Sequence, residues 1–450
     1  MMCSFKLQQV TQTTMNQTLL WFRQDFRLDD HPALLRAIKM GQPIVPMVIL
    51  DPSWFEHTRL GLPKMGRYRA RFWKESIEDL ANSIEKTGGS LIVREGLPES
   101  VLADAVDEFG IHSLVAMTYP GTEEADTEVN IESAVPSSCA IQWVEGHTLL
   151  HTDDLPFEID DLPKVFTPFR KKVEKEVDVR EPVSAPSKIS WSTHVVNTPW
   201  QEVLETSQLS TQAGDWTRDT RSVLPFKGGE SAGRARLDEY FWQRDHLKVY
   251  KNTRNGLLGA NYSSKFSPWL ANGCISPRRI WSEVKRYERE RVSNESTYWL
   301  IFELLWRDFF QFSAWKHGEA LFHAGGIQGK AVQQEPNKEK FQRWAEGQTG
   351  ADFVDANMHE LNATGFMSNR GRQNVASFLS QNLGVDWRMG ASYFETMLID
   401  YDVASNWGNW AYNSTVGHDP RNRQFDVARQ AKMYDAQGRY RRTWLQESLF

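Results

Sequence analysis

From residue 18 to residue 145 short apolar runs alternate with longer segments that are apolar on one side only: TLLWF, PALLRAIKM, PIVPMVIL, a long helical stretch, SLIV, a second such stretch, SLVAM, a third, and AIQWV. The short runs have the length of strands buried on both faces, and the segments between them carry helical spacing, as in Trp73, Ile77, Leu80 and Ile84. Helices between buried strands predict a doubly wound parallel sheet, an α/β, Rossmann-like domain. Asp30 ahead of Pro32 marks the start of the first helix, Gly41 closes it, and Gly110 closes the helix that carries Val101, Leu102, Ala105, Val106 and Phe109. The turn after the first run, RQDFRLDD, holds neither G-x-G-x-x-G nor G-x-x-x-x-G-K-[ST], so this sheet is not a standard dinucleotide site. Residues 146–225, rich in Pro, Ser, Thr and charge, lack sustained periodicity and read as a long interdomain connector. From 226 to 450 the periods are helical, which predicts an all-α domain.

Composition adds a division of labour. Ten of the 18 Trp lie from Trp269 onward, so the aromatic work falls to the helical half. The net charge of -6 conceals a separation: 16 Asp or Glu and no Lys or Arg lie between Glu95 and Pro163, leaving -6 + 16 = +10 for the rest. Between Tyr250 and Leu300 nine Lys or Arg stand against four Glu, so a chain acidic overall can present a basic face to a polyanion. Cys3, Cys139 and Cys274 are too far apart for a disulfide framework or a metal-ligand spacing. The polar N-terminus and the lack of any run of about 18 apolar residues point away from a membrane and towards the cytoplasm. Residues 1–17 are expected to form a disordered tail.

The stretch from Gly365 to Tyr412 sets Trp387, Trp407 and Trp410 among arginine, asparagine and two aspartates, a mixture that suggests a redox cofactor bed. Asn369 and Arg372 share the first turn of a helix whose core stripe is Val375, Phe378, Leu379 and Leu383, and a guanidinium at a helix start favours an anion. Asp400 and Asp402 leave the preceding helix two residues apart; they serve either as caps or, for Asp400, as the partner of Arg372 across a cofactor. In NESTYWLIFELLWRDFFQF, helical spacing puts Glu303 on one face with Trp299, Trp306 and Phe310. Glu303 either pairs with Arg307 at i, i+4 or faces a ligand. Ser263, Ser264 and Ser267 flank Lys265 in a turn that caps a helix or offers donors to phosphate.

LLWFRQDFRLDDHPAL, TRNGLLGANYSSKFSPWLANGCISP, STYWLIFELLWRDFF and TGFMSNRGRQNVASFL, in that order, make the chain resemble the photolyase and cryptochrome flavoproteins. The likeness runs from Thr18 to about Leu445 and is strongest to the DASH cryptochromes, the type that repairs pyrimidine dimers in single strands. It implies FAD in the helical domain and a 5,10-methenyltetrahydrofolate antenna in the α/β domain, contacted by Glu124. By position, Tyr250, Ser263, Ser264, Lys265, Phe266 and Ser267 would hold the phosphates and ribityl chain. Glu303 and Arg307 would line the pocket, Arg372 and Asp400 would flank the flavin as an ion pair with Asn369 in the same wall, and Asp402 would meet the ring edge. Asn406 would face flavin N5, where an amide oxygen can accept from a protonated nitrogen.

The implied activity is that of a deoxyribodipyrimidine photo-lyase. Light drives an electron from reduced FAD into a cyclobutane pyrimidine dimer, in single-stranded or looped DNA where extrusion costs least. Glu303 would hydrogen-bond the dimer, Trp306 would stack on it, Gln373 would contact it from the opposite wall, and Tyr412 stands where other members carry a second stacking Trp. DNA is the implied partner, with RNA a second candidate, and a monomer the implied state. The alternative is a blue-light photoreceptor that binds FAD and nucleic acid with little or no repair. Trp410 and Trp387 match the first two members of the family's photoreduction chain, but the surface member aligns with Gln334, which cannot relay a hole. Trp344 or another exposed aromatic would have to substitute.

Overall fold

A computed structural model describes residues 16–58, 60–193, 198–419 and 424–446. Of the expected N-terminal tail, residues 1–15 lie outside the described residues. Its last residue, Gln17, instead opens the first strand, tied by its side chain to the Phe109 carbonyl at 2.5 Å.

The α/β expectation holds. The order is β1 (Gln17–Phe22), α1 (Pro32–Lys39), β2 (Ile44–Leu50), α2 (Arg67–Lys86), β3 (Ile92–Glu95), α3 (Pro98–Phe109), β4 (Ile111–Met117), α4 (Thr122–Ala134) and β5 (Ala140–Val144). The strands form one parallel sheet in the order β3-β2-β1-β4-β5. β1 and β2 are buried along their whole length, as strands covered by helices on both faces must be. The chain winds outward in one direction from β1 to β3 and in the other from β4 to β5, so the crevice between β1 and β4 is the topological switch point.

Residues 146–225, read as an interdomain connector, carry short helices of their own. They contain α5 (Phe166–Glu176), α6 (Trp200–Thr206) and α7 (Gln208–Ala213), and the backbone around Ser190 and Ser192 bonds Ile44 at the start of β2. The helices of seven and six residues are too short to show a period, and their apolar side chains, such as Leu204 and Leu209, are buried in the main core.

The remainder is helical among the described residues: α8 (Glu230–Asp238), α9 (Tyr250–Thr253), α10 (Ser267–Ala271), α11 (Pro277–Glu290), α12 (Glu295–His317), α13 (Lys338–Ala345), α14 (Asp352–Thr364), α15 (Asn369–Ser377), α16 (Trp387–Met397), α17 (Val403–Asn413), α18 (Val427–Tyr434) and α19 (Arg439–Leu445). The two halves are joined by buried polar contacts. Arg27 is buried and gives its N–H groups to the Asp29, Asp30 and Gly273 carbonyls, the last at 2.8 Å. Asp30 pairs with Arg278 at 2.8 Å and Asp29 with Arg279 at 2.8 Å. Gly273 has φ +59 and a β-carbon there would overlap the Gln24 carbonyl, so only glycine lets the α10–α11 turn meet the loop after β1.

Candidate functional site

One cleft, of about 540 Å³, opens between α15, α16 and α17. Its polar wall holds Asn369, Arg372, Gln373, Asp400 and Asn406, and Phe394, Leu398 and Trp410 form the apolar side. Ser368 caps α15 by accepting from the Gly371 N–H at 3.0 Å, which sets Asn369 and Arg372 on the first turn. Arg372 Nη2 lies 2.8 and 3.0 Å from the two oxygens of Asp400, and its Nε donates to the Met367 carbonyl at 2.9 Å. Of the two readings of Asp400, the ion pair is the one the fold adopts.

Asp402 takes the other role. It caps α17 through the Ser405 N–H at 2.7 Å and accepts from Gln311 Nε2 at 2.8 and 2.9 Å. Burial works against its charge, yet His147, the Arg307 guanidinium and the Ser405 contact hold its carboxyl well below the usual range. Asn406 donates to the Ala391 carbonyl at 3.0 Å, which leaves its oxygen for a partner in the cleft. The sequence reading missed Asn413, which lines the same cleft. Its Nδ2 donates to the Asn409 carbonyl at 2.8 Å while its buried Oδ1 has no partner. The spacing of Asn406, Asn409 and Asn413 along one face of α17 was the available signal.

On α12 the Glu303–Arg307 pair, one of the two readings of that spacing, does not form. Arg254 of α9 reaches across to Glu303, which also accepts from the Trp299 indole N–H at 3.1 Å, whereas Arg307 turns to the His147 carbonyl and ring at the domain boundary. Burial raises the Glu303 pKa and Arg254 opposes the rise. Trp306 stacks on Phe166 of α5 at 3.7 Å and 12° and meets Tyr412 edge-on at 5.8 Å. Gln373 accepts from Arg370 at 2.8 Å. Tyr250 is buried at the start of α9, beside Glu303.

The turn from Ser263 to Ser267 is built around a residue that was not anticipated. Arg236 of α8 gathers the Ala260, Ser263 and Ser264 carbonyls at 3.0, 3.3 and 3.1 Å. Lys265 sits at φ +57 with Nζ 2.9 Å from the Ala260 carbonyl and 3.3 Å from the Tyr262 ring centroid; burial pushes its amine down to about 6. Its side chain is thus turned inward. Ser264 and Phe266 are buried beside it, and Ser267 begins α10.

Residues 18–187 match the family model described as DNA photolyase, and residues 299–448 match that of the FAD binding domain of DNA photolyase. The chain is 49% identical to the cryptochrome DASH of Natronomonas pharaonis over 96% of its own length and 90% of that protein, and 45% identical to that of Xenopus laevis over 94% and 82%. The crystal structure of the Synechocystis cryptochrome superposes with a TM-score of 0.92 at 49% identity, covering 96% of this chain and 89% of that one. The chain belongs to the photolyase/cryptochrome family, among the DASH cryptochromes. A class III photolyase from Agrobacterium tumefaciens shares the fold at 26% identity, with a TM-score of 0.82 over 98% of this chain and 88% of that one.

The cleft fits the FAD that the family's helical domain binds. A planar ring with an imide edge needs acceptors and donors in one plane beside an apolar surface. The Arg372–Asp400 pair, the Asn406 amide and the unpartnered Asn413 oxygen supply the first, and Phe394, Leu398 and Trp410 the second.

The structure corrects one expectation about the tryptophans, that Trp344 is exposed. Trp410 is buried against Phe394 at 5.1 Å and Trp344 at 6.0 Å, and Gly390 lies under its ring tip. Trp387, three residues from Gly390 on α16, donates its indole N–H to the Ala324 carbonyl at 2.9 Å. Gln334 does stand beside it, accepting the Trp387 backbone N–H at 3.2 Å. Trp344 is fully buried and is no surface terminus, because its indole is drawn inward to the Val375 carbonyl at 3.0 Å. In the α/β half, Glu124 lies on the first turn of α4, just beyond β4 at the switch point, and burial pushes its carboxyl up to about 7.

Proposed function

We propose that the chain is a light-dependent lyase that repairs cyclobutane pyrimidine dimers in single-stranded or looped DNA. One observation carries this reading: Glu303, held by Arg254 and Trp299, and Trp306 stand on α12, and Trp306 meets Tyr412 of α17, a helix that walls the Arg372–Asp400 cleft. A photoreceptor alone has no use for a half-buried acid beside an aromatic platform.

Reduced FAD, when bound and excited by light, supplies the electron that opens the cyclobutane ring. Arg372, Asp400, Asn369 and Asn406 orient the ring system and the turn from Ser263 to Ser267, with Tyr250, holds the phosphate side. Asp402 acts through α17 as its cap. Arg307 acts through His147. Glu303, its pKa raised by burial, donates to or accepts from the carbonyl edge of an extruded dimer. Trp306 covers the dimer's face, held in plane by Phe166, while Gln373 and Tyr412 bound the cavity. Tyr412 offers less stacking area than an indole, which favours substrates whose bases are already unstacked.

Glu124 at the switch point is the reading for the antenna: a half-buried carboxyl suits the amino and imide N–H groups of a pterin such as 5,10-methenyltetrahydrofolate. The solved photolyase of Sulfolobus tokodaii carries two FAD molecules, so the absorption spectrum of the purified chain discriminates a folate from a second flavin. Cys139 and Cys274 are free, buried thiols. No helix among the described residues is long and apolar enough to cross a membrane.

The test is dimer loss from single-stranded and duplex oligonucleotides under blue light, against a dark control. Loss on single strands, lowered about 10²-fold by Glu303→Gln with FAD retained, is the expected result. No light-dependent loss on single strands would remove the repair reading and leave the photoreceptor.

A further inference from the structure

Arg254 and Asn255 are neighbours in the turn that follows α9, and each is tied to one wall of the cavity given above to the dimer. Arg254 meets Glu303 of α12, and the Trp299 indole N–H donates to the same carboxylate oxygen, Oε1, at 3.1 Å. Among the described residues this leaves Glu303 Oε2 uncommitted. On the other side Asn255 Oδ1 accepts from Arg370 Nη2 at 3.0 Å, and Arg370 Nη1 donates to Gln373 Oε1 at 2.8 Å. The Tyr434 ring of α18 covers the half-buried guanidinium at 4.6 Å, so both ends and one face of Arg370 are taken by the protein itself.

An arginine has only N–H groups to offer, so the Gln373 amide can meet Arg370 only through its oxygen. The NH2 group of the same amide is thereby turned away from Arg370, on a residue that lines the cleft. From this geometry we infer that Asn255 and Arg370 are positioning residues for dimer recognition: they fix Gln373 with its amide N–H groups towards the substrate, opposite the free oxygen of Glu303. The turn after α9 then sets both walls, an acceptor on one and donors on the other. The inference rests on Gln373 as a dimer contact, as proposed above, but not on the photochemistry.

The hold matters because a glutamine free to rotate presents oxygen as readily as N–H, and oxygen against a dimer carbonyl repels. Fixing the amide in advance removes that loss, together with the entropy of ordering the side chain on binding. The competing role for a guanidinium at this place is a contact to a DNA phosphate, and the two roles leave different marks. A phosphate contact strengthens damaged and undamaged strands alike, and its loss lowers the salt slope of binding by about one. A guanidinium that acts through Gln373 matters only where a dimer is present, and only while Gln373 is there to be held.

The test uses the full chain with FAD, in the dark, and follows binding of a single-stranded oligonucleotide with and without a pyrimidine dimer. Arg370→Met is expected to weaken the dimer-containing strand about tenfold and the undamaged strand less than about twofold, with the salt slope and the FAD content kept. In a Gln373→Met background the same substitution should change neither strand by more than about twofold, because the group it positions is gone. Asn255→Asp, which keeps the oxygen that Arg370 bonds, should bind like the wild type, whereas Asn255→Ala should lose part of the preference for the dimer. Gln373→Glu keeps the bond to Arg370 but has no N–H to give, and it should lose as much of that preference as Gln373→Met. Equal weakening of both strands by Arg370→Met, a tenfold loss that persists without Gln373, or a wild type that binds both strands alike would each overturn the inference. Dimer binding that follows this pattern without dimer loss under blue light counts against the lyase alone, and dimer loss with independent effects of Arg370 and Gln373 counts against the positioning alone.

Discussion

One phenolic proton cannot serve two acceptors, yet the Tyr440 hydroxyl lies 3.0 Å from Asn357 Oδ1 and 2.6 Å from Glu360 Oε2. Asn357 commits its amide N–H to the Phe353 carbonyl, so its oxygen can only accept. The chain is completed if Glu360 keeps its proton and donates to Tyr440. Burial, opposed by the Tyr440 hydrogen bond and then by Lys265 and Arg372, pushes Glu360 from 4.5 up to about 8, in the same sense. The folded chain then holds a proton that the unfolded chain has released, and the stability owed to Glu360 falls as pH rises through that window. Thermal unfolding of Glu360→Gln should therefore show a shallower loss of stability between roughly pH 5 and 8, by up to about 1.4 kcal/mol per pH unit. An unchanged slope would mean that Glu360 is ionised. At the same scale, Asp400→Asn removes the negative charge that pairs with Arg372. The purified variant should lose FAD on gel filtration, with a Kd raised at least about tenfold, whereas FAD retention equal to the wild type would deny the pair a role in binding.

At the scale of elements, the aromatic face of α12 was legible because Trp299, Glu303, Trp306 and Phe310 recur at helical spacing. What Trp306 leans on was not. Phe166 comes from α5, in a segment read as connector, and no periodicity within α12 can announce a ring supplied from outside it. Phe166→Ala should weaken binding of a dimer-containing oligonucleotide by about 1–3 kcal/mol while leaving FAD content alone, because it frees Trp306 without touching the cleft. Equal affinity in a fluorescence titration would show that Trp306 holds its place unaided. The choice between the two readings of Glu303 was settled for a related reason: i, i+4 spacing permits a pair with Arg307, but Arg254 and His147, distant along the chain, take the two side chains instead.

Across the whole molecule the two halves share charges that neither could bury alone. Arg27, Asp29 and Asp30 from the loop after β1 meet Arg278 and Arg279 at the start of α11, and the approach depends on Gly273. Gly273→Ala is expected to destabilise the chain by roughly 2–3 kcal/mol, from a left-handed φ and an overlap with the Gln24 carbonyl. A melting temperature equal to the wild type would mean that the loop yields. The sequence by itself determined the α/β half, the helical half and the motifs that place the chain among the DASH cryptochromes, since strand burial, helical period and local turns are properties of neighbours along the chain. Tertiary structure decided the rest: which base answers Glu303, where Arg307 turns, what supports Trp306, and that Trp344 is enclosed. Those are contacts between residues tens to hundreds of positions apart, and a linear pattern carries no information about which of several competent partners lies within bonding distance.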